Sequence, residues 1–169
     1  GKDRQIPKDA LNIARMLRAA YATRFPNAKK YEQFNELVNF YAGVQAAELK
    51  AEEYYFDIVN HYAESQATQP EVSAKCEKYV QELEPMVQSF QSHRLLRFFY
   101  QIKVASYMCR NDYRTTIGVC NEALSALQAK TFYPQSHNAF FYFQKIVCHA
   151  QLKEFEEGKR LAEAYLIYD

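Results

Sequence analysis

Four histidines, at 61, 93, 137 and 149, are the side chains best suited to proton transfer near neutral pH. Of these only His61 lies within a helical turn of a carboxylate, with Glu64 three residues on. On a helix that spacing makes a surface contact, not a base with an orienting acid. Cys148 and His149 are adjacent, so on a helix their side chains diverge and no thiolate–imidazole pair forms. Glu48, Glu52 and Glu53 could offer carboxylates to a metal, but a di-metal bundle needs Glu-x-x-His on facing helices, and that motif does not occur here. The cysteines, at 76, 109, 120 and 148, form no C-x-x-C and have no His at finger spacing. Cys109 and Cys120 fall on apolar helix faces and read as buried free thiols of a reducing compartment. Gly1, Gly43, Gly118 and Gly158 are all isolated, so there is no phosphate loop, dinucleotide fingerprint or nucleophile elbow. The expectation is a protein without catalysis, metal or cofactor.

The elements that would carry any other function are helical. The chain has 169 residues, 49% hydrophobic and 24% charged, enough for a core and ordinary for a globular protein. With 4 Gly and 5 Pro it lacks the turns an all-β fold requires. No apolar run approaches the ~18 residues of a membrane span, and the N-terminus has no signal-peptide core. The expectation is one cytoplasmic, all-α domain over 1–169. The leading Gly and the apolar ending Ala164–Asp169 point to a segment cut from a longer protein.

Periodicity places the helices. Asp9 reads as the cap of a first helix over about 9–23, carrying Ile13, Ala14, Leu17 and Tyr21. Phe25-Pro26-Asn27 stops it. A long helix over about 28–65 follows, with Leu37, Phe40, Val44, Ala47, Ala51, Tyr54 and Ile58 in three- and four-residue steps, a stripe like a coiled-coil seam. A break at Gly43, giving a hairpin, is the alternative. The next helix covers about 70–84, where Pro85 ends or kinks it. Helix four, about 92–110 with Ser92 as cap, is apolar on nearly all sides and belongs between neighbours. Helix five covers about 113–129. Pro134 and Ser136 open helix six, about 137–151, and a seventh follows the Lys153-Glu154 turn. The 14 tyrosines and 12 phenylalanines read as core at this spacing.

The strongest signal is internal repetition. Phe98-Phe99-Tyr100-x-x-Lys103-Val104 recurs as Phe140-Phe141-Tyr142-x-x-Lys145-Ile146, a period of 42. Asp112-Tyr113 then aligns with Glu154-Phe155, and Leu124 with Leu166. Two helix-turn-helix units at fixed period are the mark of a helical solenoid. Tyr113 and Phe155 would pack back on the preceding helix, and the small Thr116 and Gly158 sit where helices approach. The run Asn111-Asp112-Tyr113, with Thr116, Ile117, Ala123 and Leu124, and Tyr107 before it, resembles a tetratricopeptide repeat. The resemblance covers about 92–169. Val104 and Ile146 stand where the family has a small residue, and the period is longer. The resemblance implies an all-α helix-turn-helix repeat solenoid. Residues 1–90 would form an N-terminal helical cap around the long helix.

Such a fold implies a protein-interaction scaffold that holds a peptide or a partner helix by shape and a few anchors. The inner wall comes from the first helix of each unit, which places Gln101, Ala105 and Met108 beside Phe143, Gln144, Val147 and Gln151. Residues 85–153 hold 8 basic and 2 acidic residues within a chain of net charge +1. That excess either pairs with acids of the flanking segments or, through Arg97 and Lys103 at the groove rim, favours an acidic partner. The balanced total gives no case for nucleic acid. Two other roles fit the sequence: a regulatory domain attached to a DNA-binding or catalytic domain, and a homodimer paired through helix 28–65.

Overall fold

The computed structural model describes residues 2–63, 69–129 and 138–166, and every element among them is an α-helix. In order they are α1 (Lys2–Thr23), α2 (Ala28–Ala63), α3 (Gln69–Phe90), α4 (His93–Cys109), α5 (Tyr113–Gln128), α6 (Ala139–Gln151) and α7 (Phe155–Leu166). The all-α expectation holds. The chain divides into two compact units, Gly1–Lys50 and Ala51–Asp169, and the division falls inside α2, well before the cap boundary near residue 90 read from the sequence.

The first unit is a hairpin. Its turn closes as Arg24 and Phe25 donate to the Ala20 carbonyl, and Asn27 Oδ1 accepts from the Lys30 amide at 3.0 Å, capping α2. Between the helices Tyr21 stacks on Phe34 at 5.6 Å, Arg18 donates to Asn35 Oδ1 at 3.0 Å, and Ala14 and Val38 are buried. Helix α1 begins at Lys2, not near residue 9, so Asp9 lies inside it rather than at its N-cap. Pro7 sits within the helix, where its missing N–H forfeits one ladder bond. Helix α2 runs unbroken through Gly43, so the hairpin alternative fails.

In the second unit the seam-like stripe of α2 is buried at Ala51, Tyr54 and Ile58. Helix α3 continues through Pro85 to Phe90, against the expected stop at 84. Leu83 on one side of the proline is fully enclosed and Val87 on the other packs on the core, and this burial holds both halves in register. Helix α4 buries Leu95, Leu96, Phe98, Phe99, Ile102 and Val104. Each of α3, α4, α5 and α6 packs on the helix that follows it. The main core joins Leu96 and Val104 of α4, Val119, Cys120, Ala123, Leu124 and Leu127 of α5, and Phe141 of α6. Pro134 and Ser136 lie outside the described residues.

The period of 42 has a conformational counterpart. Helix α4 ends with Asn111 at φ 56, while the Asn111 amide donates to Met108 O and the Asp112 amide to Tyr107 O. Helix α6 ends with Lys153 at φ 59, while Lys153 donates to Ala150 O and Glu154 to His149 O. Both are Schellman closures, with a left-handed residue after the cap and the next residue bonding back to the last turn. Asp112 then caps α5 by accepting from the Thr115 amide at 3.2 Å. Thr116 and Gly158, one turn on, are both buried. Tyr113 is half-buried, but Phe155 is 64% exposed, so the expected packing of both aromatics on the preceding helix is not general.

Candidate interaction surface

The sequence-predicted surface lies on α4 and α6. The Met108 sulfur lies 3.5 Å from the Cys148 thiol, which sets these helices against each other at their C-terminal halves. Met108 is half-buried and packs on the core, so it ties helices together rather than standing free. Ala105, Gln144 and Val147 are half-buried, while Phe143 (60% exposed) and Gln151 reach the surface. Gln101 is half-buried and its Oε1 is enclosed without a hydrogen-bond partner among the described residues. An amide oxygen in that state costs about 1–3 kcal/mol until something donates to it.

The rim is more committed than the sequence suggested. Lys103 lies 3.8 Å from Glu122 on α5 and over the Phe99 ring at 5.8 Å. Arg97 lies over the Phe98 ring at 4.9 Å. Other members of the basic segment reach across the unit: Arg94 to Glu52 at 2.5 Å, Arg110 to Glu77 at 2.6 Å and Arg114 to Glu154 at 2.6 Å. The reading in which the basic segment pairs with flanking acids therefore accounts for much of the excess. An acidic partner would have to displace Glu122 from Lys103.

A second cluster was not anticipated. On α2, Tyr54, Asp57 and His61 recur at steps of three and four; on α3, Lys75, Tyr79 and Glu82 recur at steps of four and three. The two stripes interlock. Tyr54 donates to Glu82, Tyr79 donates to Asp57 at 2.5 Å, Lys75 pairs with Asp57 at 2.7 Å and meets His61 Nδ1 at 3.5 Å. The Tyr54 and Tyr79 rings stack at 3.9 Å. The hydrogen bond to Glu82, with burial, pushes the Tyr54 hydroxyl up to about 12. Burial and the bond to Asp57 push Tyr79 up as well. The Lys75 ammonium and the Tyr79 hydroxyl hold Asp57 below the ordinary carboxylate range. Neutral phenols and an ionised acid locked together stabilise a seam and leave no poised base. The spacing of polar residues on both helices was the available signal, obscured because each also carries apolar neighbours.

The histidines behave similarly. His149 is buried with Nδ1 3.7 Å from Glu154 Oε2, an arrangement through a turn that a three-or-four-residue search overlooks. Glu64 and His137 lie outside the described residues. Among the described residues no group of three or more His, Cys, Asp or Glu is placed to hold a metal ion, and no helix is long and apolar enough to cross a membrane. The four cysteines are free thiols; Cys76, Cys120 and Cys148 are buried and Cys109 is half-buried. Burial pushes Cys76 and Cys120 up to about 12 and Cys148 up to about 11.

Compared with protein-family models, with curated proteins and with solved structures, the chain gives no match.

Proposed function

We propose that this chain is a non-enzymatic interaction module in which the α4 and α6 faces, arranged as in a tetratricopeptide-like solenoid, bind a peptide or a partner helix. The observation that supports it most is the enclosed, partnerless Oε1 of the half-buried Gln101 on the same helix pair as the exposed Phe143 and Gln151. Turned outward, the Gln101 side chain presents this oxygen to a partner's backbone N–H, and Phe143 supplies apolar area at low entropic cost. Recognition is by shape and amide hydrogen bonds, with Arg97 and Lys103 secondary. The cytoplasm is the compartment that suits four free thiols.

The test is a partner recovered by cross-linking to the native protein and then titrated as a purified peptide. Gln101→Ala with Phe143→Ala should weaken binding about ten-fold or more, as loss of a central anchor does, with the melting temperature little changed. Unchanged affinity in that double variant rejects this surface.

A further inference from the structure

The seam between α2 and α3 holds two phenols in a setting that favours their oxidation. The rings of Tyr54 and Tyr79 lie 3.9 Å apart and within 4° of parallel. Tyr142 and Tyr165 also meet, but at 6.2 Å and tilted by 37°. Each hydroxyl of the stacked pair reaches a carboxylate on the opposite helix: Tyr54 donates to Glu82, and Tyr79 donates to Asp57 at 2.5 Å. The rings therefore lie head to tail, face on face, in van der Waals contact. Tyr54 is buried and Tyr79 half-buried, while the side chains of Asp57 and Glu82 are 40% and 41% exposed. The Lys75 ammonium at 2.7 Å keeps Asp57 ionised. Each phenol is thus hydrogen-bonded to a carboxylate that is itself open to water.

A phenol that loses an electron becomes a strong acid, so its oxidation is easiest where a base takes the proton at the same moment. Tyr54 and Tyr79 each have such a base in hydrogen-bond reach, as proton transfer requires, and each base can pass the proton on to water. Stacking meets the other requirement, because two phenoxyl radicals formed there are already in contact through their rings. Burial keeps the tyrosines of other chains away from Tyr54, so coupling is internal. We propose that Tyr54 and Tyr79 form an oxidative modification site, at which a one-electron oxidant converts the stacked pair to a dityrosine that bridges α2 and α3. Each phenol gives one electron to the oxidant and one proton to its carboxylate. The two radicals form one C–C bond between ring carbons ortho to the oxygens. Each of those carbons then passes its hydrogen, through water, to its own ring oxygen. Both phenols are restored, and the chain is lighter by two hydrogen atoms.

The test illuminates the dilute full chain with tris(bipyridyl)ruthenium(II) and persulfate, which together generate a one-electron oxidant, and isolates the product of single-chain mass. That product should show the blue emission of dityrosine. Trypsin should yield peptide 51–75 joined to peptide 79–94, with fragmentation placing the link on Tyr54 rather than on Tyr55 or Tyr62. In urea sufficient to unfold the chain the same link should fall about ten-fold or more, since the pair is then no longer held together. Asp57→Asn with Glu82→Gln keeps a hydrogen-bond acceptor at each hydroxyl but removes both bases, and the yield should fall about ten-fold or more with the helical circular dichroism unchanged. Glu82→Gln alone, which leaves Asp57 paired with Lys75, should give an intermediate yield and decides the matter if the double variant loses helix. No Tyr54–Tyr79 link in the native chain, or an equal link in urea, would overturn the site. An undiminished yield in the folded carboxamide variants would overturn the carboxylates as proton acceptors.

Discussion

At the scale of single residues, burial decides what the reactive groups can do. Desolvation keeps Cys76, Cys120 and Cys148 protonated at neutral pH, and a thiol rather than a thiolate is a poor nucleophile. Native protein titrated with an aromatic disulfide at pH 8 should therefore react first and alone at Cys109, with the other three released only by denaturant. The buried cation Arg94 is similarly constrained. Its guanidinium pairs with Glu52 at 2.5 Å and lies 5.7 Å from the Phe98 ring centroid, so its charge is matched where water is scarce. Arg94→Ala strips Glu52 of that partner and should cost about 3 kcal/mol by urea denaturation, whereas the double change to Met at 94 and Leu at 52 should cost far less. The ion pair could not be read from sequence, since Glu52 and Arg94 are separated by a whole helix and no periodicity links them. What the sequence did reveal was the apolar setting of the thiols, because helical spacing alone puts Cys120 on the buried face of α5.

At the scale of elements, turns and seams do the positioning. Lys153 occupies the left-handed region at φ 59 as the residue after a helix cap, a conformation in which a Cβ is strained and glycine is not. Lys153→Gly should raise stability by about 1 kcal/mol, read as a higher denaturant midpoint with unchanged slope. The period of 42 located both such turns from residue types, and Ser92 was legible as a cap because apolar periodicity resumes at Leu95. Pro85 misled for the opposite reason: proline's local penalty was weighed without the packing of Leu83 and Val87 that outweighs it. The α2–α3 seam escaped notice because its partners are complementary only across two helices. Its pH signature is calculable in sign. The raised folded values of Tyr54 and Tyr79 mean that their stabilisation is complete below the ordinary 10.0; that of Tyr54 is lost as pH rises through about 12, and that of Tyr79 at higher pH still. Asp57, held low by Lys75 and Tyr79, contributes above the ordinary 3.8 and fails as pH falls below it. Stability measured by urea from pH 9 to 12 should fall, and Tyr54→Phe with Tyr79→Phe should flatten that alkaline limb and shrink the acid limb without abolishing it, because Lys75 still holds Asp57 low.

At the scale of the whole molecule, the two units differ in how much they bury. Among the described residues, Gly1–Lys50 encloses Ala14, Val38, Val44, Ala47 and Glu48, mostly small side chains. Ala51–Asp169 fully encloses Leu83, Leu95, Ile102, Leu127 and Phe141, and ties distant segments together through Arg94–Glu52, Arg110–Glu77 and Arg114–Glu154. Hydrophobic stabilisation scales with apolar area removed from water, so α1 rests on little of it and α5 on much. Local opening free energies should follow the same order, with α1 amides exchanging through a partial opening and α5 amides only through global unfolding. Hydrogen exchange read by mass spectrometry should show α1 at least about ten-fold faster than α5 in dilute protein. Equal protection of α1 and α5 would contradict the uneven burial.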